Sequence, residues 1–252
     1  MKRKVLLSVV ILASVISAML SSCSGKYKEM PFGGMNGRVQ KVTVWHLMPE
    51  MWYAGNRGSD IMYINTSIYD TYGNEICSAV LDSAERVLAE AESLYENGVC
   101  VRSTQKAGNK TIARISLVSQ SKGTLEYNKE QNGRMVRMTV KEKSFGRRHK
   151  SIVSEDGKVV SISEIRTDKD GYPVKIITTD VVAGVKTVQT NKFDEKHNII
   201  EKHSKADNSE EEEITIIQYG GMDDHGNWTD ARTYNDLNLP VEVLVREFKY
   251  WE

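Results

Sequence analysis

The heptapeptide Met222–Trp228 carries residue types that could do chemistry. It places two carboxylates, Asp223 and Asp224, beside the imidazole of His225 and close to the indole of Trp228. Acids next to a histidine can exchange protons with a substrate or hold a metal ion. A reactive site of this kind is expected to occur once in a chain.

Weaker copies of this pattern occur at 69–74, 167–172 and 193–198, which favours a structural interpretation. An aspartate that opens a turn can accept a hydrogen bond from the backbone N–H two residues later. A glycine three residues after the aspartate can take a positive φ without a Cβ clash. Three copies keep both residues, and these are predicted to be structural turn formers: Asp70 and Gly73, Asp168 and Gly171, and Asp223 and Gly226. On this interpretation the His225 imidazole is incidental, and Trp228 enters a strand and points into the core.

The remaining candidates for chemistry are weak. His197 and His203 share a face at a separation of six, which is half a metal site at best, and solvated turn and strand histidines explain them better. Asp168-x-Asp170-Gly171 lacks the third acid and the distant glutamate of a calcium loop. No Gly-x-Ser-x-Gly and no phosphate-binding glycine loop occurs. We therefore predict no catalytic residue, metal site or cofactor, and a non-enzymatic structural or binding role. The alternative is a polymer-processing envelope hydrolase whose site is assembled only in three dimensions.

The elements around these turns are predicted to be strands. Turn pairs such as Asn132-Gly133, Asp156-Gly157 and Asp170-Gly171 separate segments with period-two alternation, as in Val136, Met138 and Val140. Residues 80–97 instead have apolar residues at helical spacing and end at Asn97-Gly98. The predicted fold is mainly β: an antiparallel up-and-down meander of repeated hairpins, forming a curved open sheet, with one amphipathic helix.

The turn motifs support a resemblance to known families. Tyr69-Asp70-x-x-Gly73-Asn74 and Phe193-Asp194 resemble the YD repeats of RHS-type proteins. The C-terminal run 223–250 and the opening Gly37-Arg38-Val39 resemble uncharacterised envelope lipoproteins of Bacteroidota-type Gram-negative bacteria. The resemblance covers roughly residues 35–75 and 125–252. It implies hairpin architecture and no catalytic residues, because the shared positions are turn formers.

The N-terminus is predicted to be a lipoprotein signal peptide, residues 1–22. A basic start, Lys2-Arg3-Lys4, precedes an apolar run that ends in Leu20-Ser21-Ser22-Cys23, which resembles a bacterial lipobox. Cys23 would then carry palmitate-type acyl chains, which anchor a protein without a transmembrane helix. Residues 23–34 form a tether and 35–252 a single domain. The predicted location is the outer membrane of the cell envelope, with the periplasmic face favoured over the cell surface because no acidic run follows the cysteine.

Composition narrows the partners. The chain has 34 basic and 34 acidic residues, so loss of the three basic residues in the leader leaves a net charge of −3. This balance gives no reason to expect a nucleic-acid partner. Trp45, Trp52 and Tyr53 surround a glycine-bearing loop and could face a ligand, a glycan or an envelope protein, or form an aromatic core. Cys77 and Cys100 could pair in the oxidising envelope or stay separate. Oligomeric state is not indicated.

Overall fold

The protein is an all-antiparallel closed β-barrel. The computed structural model describes residues 35–49 and 61–252. Each strand pairs with the next in sequence, and β1 pairs with β16 to close the barrel. The strands are β1 Val39–Leu47, β2 Ile61–Tyr69, β3 Glu75–Leu81, β4 Val87–Glu96, β5 Val99–Ala107, β6 Lys110–Ser121, β7 Thr124–Gln131, β8 Arg134–Phe145, β9 Arg148–Glu155, β10 Lys158–Thr167, β11 Pro173–Asp180, β12 Val185–Phe193, β13 Ile199–Ala206, β14 Glu213–Tyr219, β15 Asp230–Tyr234 and β16 Pro240–Tyr250.

Barrel closure corrects the prediction of a curved open sheet. The hairpin meander is present in sequence order, but its two edge strands meet from Val39, opposite Tyr250, to Leu47, opposite Val243. Closure satisfies the backbone N–H and C=O groups that two open edges would leave unpaired. Because this pairing joins residues about 200 positions apart in the chain, no local sequence pattern predicts it.

The predicted helix over 80–97 is also wrong. Residues 75–81 form β3 and 87–96 form β4, with a turn at Asp82 between them. The Asp82 carboxylate accepts from the backbone N–H of Ala84 and of Arg86, both at 3.0 Å, and Glu85 takes φ +60°. A positive φ at that position cannot continue a helix. Pairing on both sides of β4 thus overrides the helix propensity of its Ala, Glu and Leu residues.

Asn97-Gly98, predicted to end that helix, is instead the tip of a hairpin. Both residues have positive φ, 51° and 75°, as a two-residue type I′ turn requires. Asn132-Gly133 and Asp156-Gly157 repeat this geometry. These short turns hold β4–β5, β7–β8 and β9–β10 in fixed register.

The apolar core lies inside the barrel and is divided into two clusters. The first joins side chains of β4 to β9 around Tyr127, which is fully buried. The second joins β1, β2 and β16 around Val42 and Val44. Within residues 35–49 and 61–252 no helix is long and apolar enough to cross a membrane.

Candidate functional site

The outer wall of β4 to β9 is charged. Along these strands the small and apolar residues point inward, so the alternate positions point outward. Ion pairs link outward side chains of neighbouring strands: Glu90 with Lys106 at 2.7 Å, Glu126 with Arg137 at 2.6 Å and Arg114 with Glu130 at 3.5 Å. A barrel that spans a bilayer shows the reverse pattern, with an apolar band outside and polar groups inside.

The wall of β10 to β14 also carries outward charges, although isoleucine and valine lie among them. Lys192 pairs with Glu201 at 2.7 Å, and His203 contacts Glu201 on one side and Glu212, at 3.4 Å, on the other. Hydrogen bonding to Glu201 raises the pKa of His203, and the bond from Lys192 lowers the pKa of Glu201. Both shifts favour the charged forms of the two groups, as expected of an ion pair.

The interior is filled on one side and accessible on the other. The inward apolar residues of β4 to β9, such as Ala89, Ile115 and Met138, are almost wholly buried, and the same face carries an ion pair between Lys129 and Glu155 at 2.6 Å. Inward residues of β10 to β14 keep partial solvent exposure, except Thr167 and Asn191. The strand registers place the acids Asp180 and Glu213 on this inner face at strand ends, and between them the following polar side chains: Ser161, Ser163, Thr178, Thr187, Gln189, Asn191, Lys202, Ser204 and Thr215. We call this set the polar lining.

A hydrogen-bonded group inside the barrel lies beside the polar lining. Nδ1 of His46 is 2.7 Å from Oε1 of Glu242, and the Asn65 amide nitrogen is 3.1 Å from Nε2 of the same ring. The His46 ring stacks on Tyr63 with 3.9 Å between centroids. Burial, with a smaller contribution from Glu242, raises the pKa of Tyr63 to about 12, so its hydroxyl stays neutral. Sequence reasoning missed this group, because its members come from three separate strands.

The Met222–Trp228 stretch closes one end of the barrel. The Asp223 carboxylate accepts from the backbone N–H of His225 at 2.9 Å and of Asn227 at 2.8 Å, and Gly226 takes φ +79°. Burial alone would raise the pKa of Asp223, but hydrogen bonds from Tyr250 and from these amides hold it below its usual value. The stretch is therefore a turn, and the Asp223 carboxylate accepts hydrogen bonds from its backbone N–H groups.

Asn227 ties this turn to the residues just before β1 and to the end of β16. Its side chain, 2% exposed, donates to the carbonyl of Asn36 at 2.9 Å and to the Tyr250 hydroxyl at 2.8 Å, and it accepts from the Asn36 N–H. His225 stacks on Tyr250 at 3.8 Å and covers Gly37, so its ring is not incidental. We call these contacts the closure clasp.

Trp228 points into the core. It is 6% exposed, packs against Tyr219 at 5.3 Å and lies under the Arg246 guanidinium at 3.9 Å. Burial lowers the pKa of Arg246 to about 10, still above the pH of a cell envelope, so the cation over the indole persists.

The other predicted turn residues take the same geometry. The Asp70 carboxylate accepts from the N–H of Tyr72 and that of Asp168 from the N–H of Asp170, each at 2.9 Å. Gly73 and Gly171 have φ of +87° and +93°. In the 193–198 copy, which lacks the glycine, His197 takes φ +63° and stacks on Tyr172 at 3.9 Å.

The predicted ligand-facing and lipid-bearing residues are scattered or undescribed. Trp45 lies on the outer face of β1, half-buried. Cys23, Trp52 and Tyr53 fall outside the described residues. Cys77 and Cys100 are free thiols. In the part of the chain that the structure describes, no group of three or more His, Cys, Asp or Glu side chains is placed to hold a metal ion.

Comparison with known proteins shows the fold and no family. No protein-family model and no curated protein matches the chain. A porin-like protein from Bacteroides uniformis is similar in structure, with 10% identity, a TM-score of 0.51, and coverage of 85% of this chain and 99% of that one. A porin-like protein from Bacteroides vulgatus has 10% identity, a TM-score of 0.44 and coverage of 84% and 98%. The first likeness shows that this chain has a porin-like barrel fold.

Proposed function

We propose that the protein is a lipid-anchored outer-membrane protein whose barrel stands outside the bilayer and acts as a non-enzymatic binding module. The observation that carries this proposal is the polarity of the wall: on β4 to β9 charge pairs point outward and apolar side chains point inward, and on β10 to β14 charge pairs also point outward. A charged side chain at the bilayer midplane costs roughly 2–4 kcal/mol, whereas an exposed ion pair in water contributes about 0.2–1 kcal/mol. The porin-like fold supports an envelope location, and the lipobox supplies the attachment.

The accessible polar lining is the proposed binding surface. Hydroxyl and amide side chains line an interior that water can enter, while the apolar clusters fill the other side. Such lining suits a polar ligand, a glycan or a segment of an envelope protein, held by hydrogen bonds. The tether then keeps the opening of the barrel within reach of envelope polymers.

Removal of the lipid separates an anchored barrel from a spanning one. Residues 1–23 are replaced by a cleavable secretory leader without a lipobox, and cell fractions are compared with wild type. We expect wild type in the outer membrane and the secreted form in the soluble periplasm, folded without detergent. A secreted form that still sediments with the membrane and needs detergent would refute the proposal.

A second experiment tests the anchor and its face. Labelled palmitate is expected to enter the wild-type protein and not Cys23→Ala. Protease added to intact cells is expected to leave the wild-type protein uncut, because the periplasmic face is favoured. Palmitate labelling of Cys23→Ala would disprove lipidation at that residue, and cleavage on intact cells would place the protein on the surface.

A further inference from the structure

The polar lining contains a single cation, Lys202. It lies on the inner face of β13, opposite Asn191 on β12 and Thr215 on β14. Its neighbours in the lining are hydroxyls and amides, of which Gln189 and Asn191 bond to each other at 2.8 Å. Among the described residues, the Lys202 ammonium has no hydrogen-bond or ion-pair partner within contact distance.

Lys202 is held in a poorly solvated position. Burial lowers the pKa of its ammonium, and the negative charge of Glu242 opposes that effect. A partly desolvated charge without a close partner is unfavourable unless something else compensates it. The fold therefore keeps a cation where a ligand can supply the missing counter-charge.

Glu242 supplies part of that counter-charge from a distance, but its hydrogen bond is to His46 and it makes no ion pair with Lys202. The Asn65 amide nitrogen is a donor, so the His46 Nε2 that it contacts is the acceptor and Nδ1 carries the proton. That Nδ1–H then donates to Glu242 at 2.7 Å. This arrangement fixes the ring in one tautomer and holds Oε1 of the glutamate away from direct contact with Lys202.

The geometry points to a saccharide that carries a carboxylate as the ligand of the polar lining, with its acid group paired to Lys202. Hydroxyl and amide side chains match sugar hydroxyls as donors and acceptors, and one ammonium matches one acid. The sugar ring need not stack on Tyr63, whose ring already stacks on His46. This inference rests on the proposed binding-module function and names the ligand class of that same interior.

The test compares acidic and neutral sugars on matched variants. The lipidated full chain, extracted in detergent, is titrated by calorimetry with trigalacturonate and with the uncharged galactotriose. Lys202→Met removes the inward charge at similar volume. Lys205→Met is the control, since Lys205 lies three residues along the same strand on the exposed outer face.

We expect trigalacturonate to bind wild type and Lys205→Met equally, at least tenfold more weakly in Lys202→Met, and more weakly in high salt. Galactotriose is expected to bind at least tenfold more weakly than the acid in wild type. A retained melting temperature in Lys202→Met shows that loss of binding is not loss of fold. Lys202→Arg is expected to restore most of the affinity.

Three results would overturn the inference. Equal binding of both sugars would show that the acid is not recognised, while leaving a glycan-binding module in place. An equal loss in Lys205→Met would show surface charge attraction only. Absence of trigalacturonate binding to the folded wild-type chain would remove the acidic saccharide as ligand, whereas the fractionation experiment alone decides the anchored barrel.

Discussion

Substitution of Asn227 by alanine is expected to weaken the barrel at its seam. The side chain makes three hydrogen bonds in the closure clasp: two with the backbone of Asn36 and one with Tyr250. Each such bond contributes about 1 kcal/mol net, so their loss lowers the free energy of unfolding by about 3 kcal/mol. In a protein whose total stability is roughly 5–15 kcal/mol this is a large fraction.

Asn198 provides a matched control inside the same molecule. It occupies the same position in the 194–198 turn, is 6% exposed, and its N–H bonds to Asp194 at 2.8 Å, as that of Asn227 does to Asp223. The Asn198 side-chain amide, however, donates a hydrogen bond only to Asp194 in the same turn, at 3.0 Å. Asn198→Ala is therefore expected to cost about 1 kcal/mol, through one lost hydrogen bond.

The assay is urea denaturation of the secreted form, followed by far-ultraviolet circular dichroism and by tryptophan fluorescence. With a denaturant slope of about 2–3 kcal/mol per M, Asn227→Ala should lower the midpoint by roughly 1 M and Asn198→Ala by less than half of that. The fluorescence transition should shift with the dichroism transition, because Trp228 adjoins the clasp. Equal midpoint shifts in the two variants would refute the role of Asn227 in closure.

Two further predictions concern a buried acid and a crowded glycine. Burial raises the pKa of Glu142 to about 7, so the free energy of unfolding falls as pH rises from the usual glutamate pKa to 7. In paired urea titrations, Glu142→Gln should be as stable as wild type near pH 4.5. At pH 8 it should be more stable by about 1 kcal/mol, after allowance for the partial exposure of the side chain. A variant that gains equally at both pH values would disprove the titration. A Cβ on Gly37 would lie 2.8 Å from the His225 ring, at φ +79°, whereas one on Gly133, at φ +77°, meets nothing within 4 Å. Gly37→Ala should thus cost more than the roughly 1 kcal/mol expected for Gly133→Ala, and similar thermal shifts would show that the ring yields freely.

The turns could be predicted from sequence because their chemistry is local. An aspartate, its acceptor geometry and a residue able to take positive φ lie within five positions, so Asp168 and Gly171 carry the information themselves. The prediction of a helix was wrong because the information that decides against it is not local. Apolar residues at 80–97 fit a period of 3.6 as well as two strands, and only the turn at Asp82, with pairing to β2 and β5, decides between them.

Closure and the interior could not be predicted, because both depend on distant pairings. The clasp joins Asn36 to Asn227, and the group around His46 joins β1, β2 and β16. On β4 to β9 the alternation of apolar and charged residues does reveal an inner and an outer face. On β10 to β14 it does not, because hydroxyls alternate with a mixture of isoleucine, valine and lysine, and either set could face water.

The outer faces of β10 to β14 bear on whether the barrel wall contacts lipid or water. In a barrel that spans a membrane, polar residues on one face would mean a channel and apolar residues on the other would mean lipid contact. Here Ile162, Ile177, Val188, Ile214 and Ile216 do point outward, but Lys192 and Glu201 form an ion pair on the same surface. A lipid-facing wall would have to bury that pair in hydrocarbon, where a charged side chain at the midplane costs roughly 2–4 kcal/mol. In the arrangement that we propose, the polar lining is the inner surface of a water-exposed barrel, where Lys202 is available to a ligand.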